Sequence, residues 1–136
     1  MTNRRRIGLH EEHGQAAVEF ALVAPILVAL LLGIVQAGVA FNHYLAVTDA
    51  ARAAARQAIE ARVAGVTVAQ IQQAAQDAAG GLDLTGRVTV ADPTDPNFTT
   101  AGSTLTVTVT YPYSISVLGW AISSGNLQST MTDRLE

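Results

Sequence analysis

The sequence predicts a membrane-anchored α+β protein: a long N-terminal transmembrane helix, a second short helix, and a small antiparallel sheet of about three strands. An uncharged stretch of 29 residues runs from Phe20 to Thr48, and about 20 apolar residues are enough to cross a bilayer. Near the C-terminus, apolar and polar residues alternate, which is the period of a half-buried strand. Hydrophobic residues make up 49% of the chain but aromatic residues only 5%, which favours a long helix over a large mixed core.

The charges are distributed unevenly along the chain. Arg4, Arg5 and Arg6 precede the apolar stretch, whereas after Gly14 five Arg face nine Asp and Glu, a net charge of −4. Because basic residues tend to stay in the cytoplasm, this pattern places the N-terminus inside and the acidic body outside. Cysteine is absent, which excludes disulfides and thiolate metal sites, and the overall net charge of −3 provides no basic surface for nucleic acid.

The first two segments are therefore a polar leader, residues 1–14, for which no packed structure is expected, and a long helix over residues 15–64. The transmembrane part of this helix is about 20–41, which would measure roughly 33 Å. Pro25 lacks an amide hydrogen, so a kink or local loosening is expected near Ala21–Pro25. A tolerated membrane proline without a role is the alternative interpretation.

From Asn42 the helix becomes amphipathic. Arg56 and Glu60 are spaced for an i,i+4 ion pair. The alanine-rich side is narrow, which would allow close helix packing, and the residues assigned to helix interaction are Ala51, Arg52, Ala55 and Arg56. The predicted apolar face consists of Leu45, Ala51, Ala54, Ala55, Ala58 and Ile59.

Residues 65–136 are predicted to form an extracytoplasmic α+β domain. Its helix, about Val68–Ala79, follows a capping box of Thr67 and Gln70 and stops at Gly80-Gly81. Three strands are then expected, with Asp92–Gly102 as the loop between the first two. They are Arg87–Val90, Thr104–Tyr111 ended by Pro112, and Leu127–Thr132, while Ser114–Trp120 reads as a short helix or a bend.

The segment before the apolar stretch reads Gly14-Gln-Ala-Ala-Val-Glu-Phe20. Glu19 stands at the edge of a membrane helix, where an ionised side chain is costly, so its presence suggests a role. After Phe20 the chain continues as Ala-Leu-Val-Ala-Pro-Ile-Leu, and residues 50–56 read Ala-Ala-Arg-Ala-Ala-Ala-Arg. The whole stretch considered is residues 14–58. This stretch resembles the N-terminal domain of TadE-like proteins, the minor pilins or pseudopilins of tight-adherence (Tad, or Flp) pilus systems.

The resemblance implies that a prepilin peptidase cuts between Gly14 and Gln15 on the cytoplasmic side. Glu19, Phe20 and Pro25 would then serve recognition or assembly. The Glu19 carboxylate is expected either to aid processing or to pair with the N-terminal ammonium of a neighbouring subunit. The implied partners are other pilin or pseudopilin subunits, the inner-membrane assembly platform and membrane lipid, with no cofactor and no nucleic acid.

Several alternatives remain open from the sequence. Small residues before Phe41 fit a conventional signal-peptidase site, although the apolar region is long for one. The leader residues His10 to His13 have side chains that can bind a metal ion, but a solvated leader is the preferred interpretation. Asp92 and Asp95 have side chains that can bind calcium, but turn residues are the preferred interpretation. An uncleaved single-pass protein with an extracytoplasmic binding domain is the alternative function. No nucleophile–base pair, phosphate loop or metal cluster indicates an enzyme.

Overall fold

A computed structural model describes residues 8–60, 65–92, 102–117 and 119–134. The long helix α1 runs from Gly8 to Ile59, 52 residues, which corresponds to about 78 Å. It therefore begins inside the predicted leader rather than at Gln15, and it ends before the predicted boundary. Pro25 lies within α1 and does not interrupt it.

The second helix, α2, spans Val68–Asp77 and is preceded by the predicted capping box. The Thr67 Oγ1 atom accepts from the Gln70 backbone N–H at 3.4 Å, and the Gln70 Oε1 atom accepts from the Thr67 N–H at 2.8 Å. These two bonds are the reciprocal pair of a capping box, and the Gln70 N–H is shared with the Thr67 carbonyl at 3.0 Å. After α2, Gly80 and Gly81 adopt positive φ angles of 61° and 93°, which only glycine adopts without strain.

Replacing Thr67 with alanine is expected to lower the stability of α2 by about 1 kcal/mol, because one capping acceptor is lost. Hydrogen exchange of the α2 amides in the full chain would measure this change. Thr67→Ser keeps the hydroxyl and serves as the control, with exchange close to that of the unmodified protein. Equal exchange in the alanine and serine variants would show that the capping bond contributes no stability.

A turn between α2 and the sheet contains Asp83, Thr85 and Arg87. The Thr85 side chain and backbone N–H donate to the Asp83 carboxylate, the latter at 3.0 Å, and Arg87 lies nearby. These hydrogen bonds hold the pKa of Asp83 below its ordinary value. The resulting stabilisation is present above the ordinary aspartate pKa and is lost as the pH falls through the lowered value.

The three predicted antiparallel strands form one sheet, in which their order is β1-β2-β3. The strands are β1 Val88–Ala91, β2 Thr104–Val117 and β3 Trp120–Arg134. The second and third are about twice as long as the alternation indicated. The described residues of Ser114–Trp120 form the end of the β2–β3 hairpin, where Val117 pairs with Trp120 and Gly119 has a φ of 85°. Most of the predicted Asp92–Gly102 loop lies outside the described residues.

The prediction that Pro112 ends the second strand is wrong. The Thr110 N–H donates to the Arg87 carbonyl at 3.0 Å, so this side of β2 faces β1. Two residues further on, the Pro112 nitrogen points the same way, but β1 reaches only as far as the Val88–Val109 pair. A proline there removes no hydrogen bond from the sheet, because no neighbouring strand requires its N–H.

The core of the protein, which we call the head, lies where the C-terminal half of α1 contacts α2 and the sheet. Leu45 was predicted on its buried face but is 46% exposed, and the predicted face missed Val47 and Ala50. Most of the α1 contribution is alanine, which lets the helix approach its neighbours closely. The buried apolar residues are Val47, Ala50, Ala51, Ala54, Ala55, Ala58, Ile71, Ala75, Ala79, Leu84, Val88, Leu105, Val107 and Val109.

The expected ion pair on the outer side of α1 is replaced by another. Among residues 8–60, Arg52 Nη1 lies 3.3 Å from Asp49 Oδ1, whereas Arg56 and Glu60 do not form a pair. Both partners of the observed pair are more than half exposed, so its contribution to stability is small.

Candidate functional site: the exposed apolar helix

The predicted processing bond, between Gly14 and Gln15, lies inside α1, six residues after the helix begins. Gly14 is exposed, and a Cβ atom added there would have no neighbouring heavy atom within 4 Å. Glycine weakens a helix interior by about 1 kcal/mol relative to alanine. The predicted processing bond therefore lies at an exposed position of α1, next to a residue that favours a helix less than alanine does.

Glu19 lies one helical turn after Gln15, on the same side of α1. The Gln15 Nε2 atom donates to the Glu19 Oε1 atom at 3.2 Å, and both residues are exposed. This i,i+4 spacing brings the carboxylate close to the residue that the resemblance makes the new N-terminus. The structure thus places Gly14, Gln15 and Glu19 together at one end of the apolar stretch.

The stretch from Phe20 to Phe41 has no polar side. One window of 18 residues in α1 has a mean hydropathy of 2.6 with none of it buried, and Phe20 itself is 69% exposed. A helix that is apolar on all sides is covered by lipid or by other apolar helices. By length and composition, α1 is the one described helix that fits a membrane span.

The residues assigned to helix interaction divide into two pairs. Ala51 and Ala55 are buried in the head, so the packing that they serve in the described structure is within the chain. Arg52 and Arg56 are exposed beside them. The alanines thus attach the head to α1, and the arginines are the two members of this set that remain at the surface.

One residue that the sequence interpretation missed connects the two halves of the molecule. The Gln36 side-chain amide forms two hydrogen bonds with the backbone of Ser116: Nε2 donates to the Ser116 carbonyl, and Oε1 accepts the Ser116 N–H at 2.6 Å. Gln36 is the single polar side chain between Phe20 and Phe41. That isolated polar residue was the available signal, since a buried or membrane amide normally has a partner.

Two helical turns further along α1, an aromatic contact joins the same helix to β2. The rings of His43 and Tyr111 meet edge to face, with centroids 5.4 Å apart. The Arg87 guanidinium lies 5.6 Å from the Tyr111 ring centroid, within the range of a cation–π interaction. These contacts fix the middle of the hairpin against α1.

Metal binding finds no support in the part of the chain that is described. Within it, no group of three or more His, Asp or Glu residues is arranged to hold a metal ion. The side chains of His10 to His13 and the residue Asp95 lie outside the described part. Asp92 is buried at the end of β1.

These features define a class of protein that carries one exposed apolar N-terminal helix and a small α+β head packed on its C-terminal half. Such an arrangement fits a membrane-anchored protein. The model of the TadE-like protein family matches residues 14–56, so the resemblance is confirmed over that segment and points to a subunit associated with a Tad pilus. The match begins at Gly14, the predicted processing residue. No curated protein and no solved structure matches the chain.

Proposed function

We propose that this protein is a TadE-like minor pilin or pseudopilin, a structural subunit for the biogenesis of a Tad (Flp) pilus and for adhesion. A prepilin peptidase removes residues 1–14, and the apolar helix then associates with other pilin subunits and the inner-membrane assembly platform. The observation that carries this proposal is the match that starts at Gly14 and covers an apolar helix exposed on all sides. The role is structural rather than catalytic, and no nucleic acid takes part.

The arginine triplet supports the orientation. With Arg4, Arg5 and Arg6 in the cytoplasm, the Gly14–Gln15 bond lies on the cytoplasmic side of the membrane and the head lies outside. The protein is then a single-pass protein of the cytoplasmic membrane before assembly and is displayed at the cell surface afterwards. The peptidase reaches the bond at the membrane surface, where the exposed helix around Gly14 can unwind.

Cleavage changes the electrostatics around Glu19. The new α-ammonium group at Gln15 is a positive charge at the end of an apolar helix, and the carboxylate lies one turn away on the same side. Where neighbouring helices pack in a low-dielectric environment, the carboxylate of one subunit is stabilised by the ammonium of the next. An N-terminal glutamine can also cyclise, which removes both the amine and the Nε2 donor, so the pairing requires an uncyclised Gln15.

The first test of this function is the intact mass and the N-terminal peptide of the membrane-extracted protein, measured by mass spectrometry. A start at Gln15 is expected, as free glutamine or with the mass loss of cyclisation. A start at Met1 in a host with an active prepilin peptidase would support the uncleaved single-pass protein instead. A start at Phe41 would indicate conventional signal-peptide removal and would contradict any role for Glu19.

Replacing Glu19 with glutamine is expected to separate processing from assembly. The variant keeps an acceptor for the Gln15 side chain but loses the charge, so cleavage continues while incorporation into pili falls at least about tenfold, equivalent to 1.4 kcal/mol. Immunoblots of sheared pili and of membranes would measure the two steps. Glu60→Gln, which removes a charge beyond the apolar stretch, is the matched control. Normal assembly of the Glu19 variant would contradict the charge pairing.

A further inference from the structure

We infer that the end of the β2–β3 hairpin is a second membrane contact, which lies in the interfacial layer of the bilayer that α1 spans, with Trp120 as its anchor. We call this end the hairpin tip and define it as Pro112–Val117 with Gly119–Asn126. The inference goes beyond the proposed function, because it requires only that α1 crosses a membrane.

The position of the tip follows from the Gln36–Ser116 contact. Two hydrogen bonds from one side-chain amide hold the Ser116 backbone beside α1 at the level of Gln36. The tip continues from Ser116 to the Val117–Trp120 pair, where the hairpin turns. Gln36 belongs to the apolar stretch between Phe20 and Phe41, so the tip lies alongside the helix that enters the membrane.

The composition of the tip suits contact with lipid. No charged residue occurs from Pro96 to Thr132, 37 residues that include most of the hairpin. Trp120 is 82% exposed and Ile122 is 67% exposed. Outside α1, the large apolar side chains that the described residues expose are these two and Val68. Like α1, and unlike the rest of the described head apart from Val68, the tip therefore exposes large apolar side chains.

The charged side chains of the head begin at the level of Tyr111 and lie away from the hairpin tip. Arg87 contacts Tyr111, and on α1 the first charge after the apolar stretch is Asp49. From Tyr111 towards the tip the hairpin is uncharged, and α1 is uncharged from Thr48 back to Phe20. This boundary between charged and uncharged surface is the pattern expected where a protein passes from water into the bilayer interface.

The strand edges determine how deep the tip can lie. β1 pairs with β2 only as far as Val109, so beyond it the hairpin is a two-stranded ribbon with open edges in the described structure. Open sheet edges are not tolerated in hydrocarbon, because their N–H and C=O groups would have no partners. The headgroup region contains water that satisfies these groups, and tryptophan is enriched there.

A tip in the headgroup region places the outer boundary of the hydrocarbon at about Gln36 rather than at Phe41. The 16 residues from Phe20 to Val35 then measure about 24 Å, less than the roughly 30 Å of a typical hydrocarbon core. Short spans are accommodated by local thinning of the bilayer at modest cost. A second copy of the chain is the other occupant that could cover the tip, but lipid is favoured because the Gln36–Ser116 hydrogen bonds hold the tip beside the spanning helix.

Trp120 is the only tryptophan of the chain and is therefore a native fluorescent probe. The full chain would be reconstituted in phosphatidylcholine vesicles at a low protein-to-lipid ratio. The expected result is blue-shifted Trp120 emission with weak quenching by aqueous acrylamide. Lipids brominated near the carboxyl end of the acyl chain are expected to quench more strongly than lipids brominated near the methyl end.

Two variants test the depth of the hairpin tip and the contact that holds it there. In Trp120→Phe with Tyr44→Trp, the probe sits on α1 eight residues past Gln36, about 12 Å further out, and should be quenched by acrylamide and not by brominated lipid. Gln36→Leu removes the contact with Ser116 but keeps the helix apolar, so Trp120 should become more accessible to acrylamide. Gln57→Leu, on the same helix inside the head, is the matched control and should leave the Trp120 signal unchanged.

Each contrary result has a distinct meaning. Red-shifted emission with full acrylamide quenching, in protein that stays in the vesicles at alkaline pH, would overturn this inference and leave the proposed function intact. Blue-shifted emission without quenching by brominated lipid, growing with the protein-to-lipid ratio, would show that another copy covers the tip and would also overturn it. Release of the protein at alkaline pH would contradict the membrane span itself, and both proposals with it.

Discussion

Replacing Gly14 with leucine is expected to abolish removal of the leader, so that the protein accumulates with its N-terminus at residue 1. A Cβ atom at Gly14 meets no neighbour within 4 Å, and its backbone is helical, so the fold of the chain tolerates the larger side chain. Leucine is also a better helix former than glycine by close to 1 kcal/mol. The loss must therefore arise at the peptidase, which has to accept the side chain and an unwound backbone at this position.

Intact mass measured in cells with the pilus peptidase would show the result directly. Gly33→Leu is the matched control, because Gly33 is also a helical glycine on α1 with no atom near an added Cβ, yet lies away from the cleaved bond. The control should be processed normally and should remain in the membrane. A Gly14→Leu protein that starts at Gln15, or that assembles into pili without cleavage, would contradict prepilin-type processing.

A buried charge in the sheet is expected to unfold the head. Val107 lies at the centre of β2, fully buried among the apolar residues that contact α1. Val107→Asp removes that burial and places an unpaired carboxylate in the core, a combination that costs at least about 4 kcal/mol. Because small domains have only about 5–15 kcal/mol in total, the head would be largely unfolded while the apolar helix stays in the membrane.

Limited trypsin digestion of the full chain in detergent micelles would measure this unfolding. Arg87 is a suitable reporter, because its carbonyl is bonded to Thr110 and cleavage after it requires β1 to detach. Thr108→Asp is the matched control: the adjacent residue faces the opposite side of the same strand, beside Thr130. Rapid cleavage is expected for the Val107 variant and near-normal resistance for the Thr108 variant. Equal resistance in both would show that the sheet does not pack on α1.

The resistance of the two variants depends on the same alternation that allowed the sheet to be predicted. The period of two placed Leu105, Val107 and Val109 on one face, and the structure buries all three. The capping box and the glycine pair likewise located α2, because caps and positive φ angles are properties of a few adjacent residues. The predicted processing motif also lies within one short segment, which is why the resemblance could be recognised from Gly14 onward.

Long-range contacts were not predictable in the same way. Whether Pro112 ends a strand depends on how far the neighbouring strand extends, and whether Leu45 or Val47 is buried depends on the rotation of α1 against the sheet. Gln36 and Ser116 are 80 residues apart, and no local pattern relates them.

By itself, the sequence determined the long apolar helix, the order of the elements and the segment that matches TadE-like proteins, because periodicity, caps and motifs are local. Tertiary structure alone decided the length of the hairpin and its place beside the apolar helix, because those depend on hydrogen bonds and packing between distant residues.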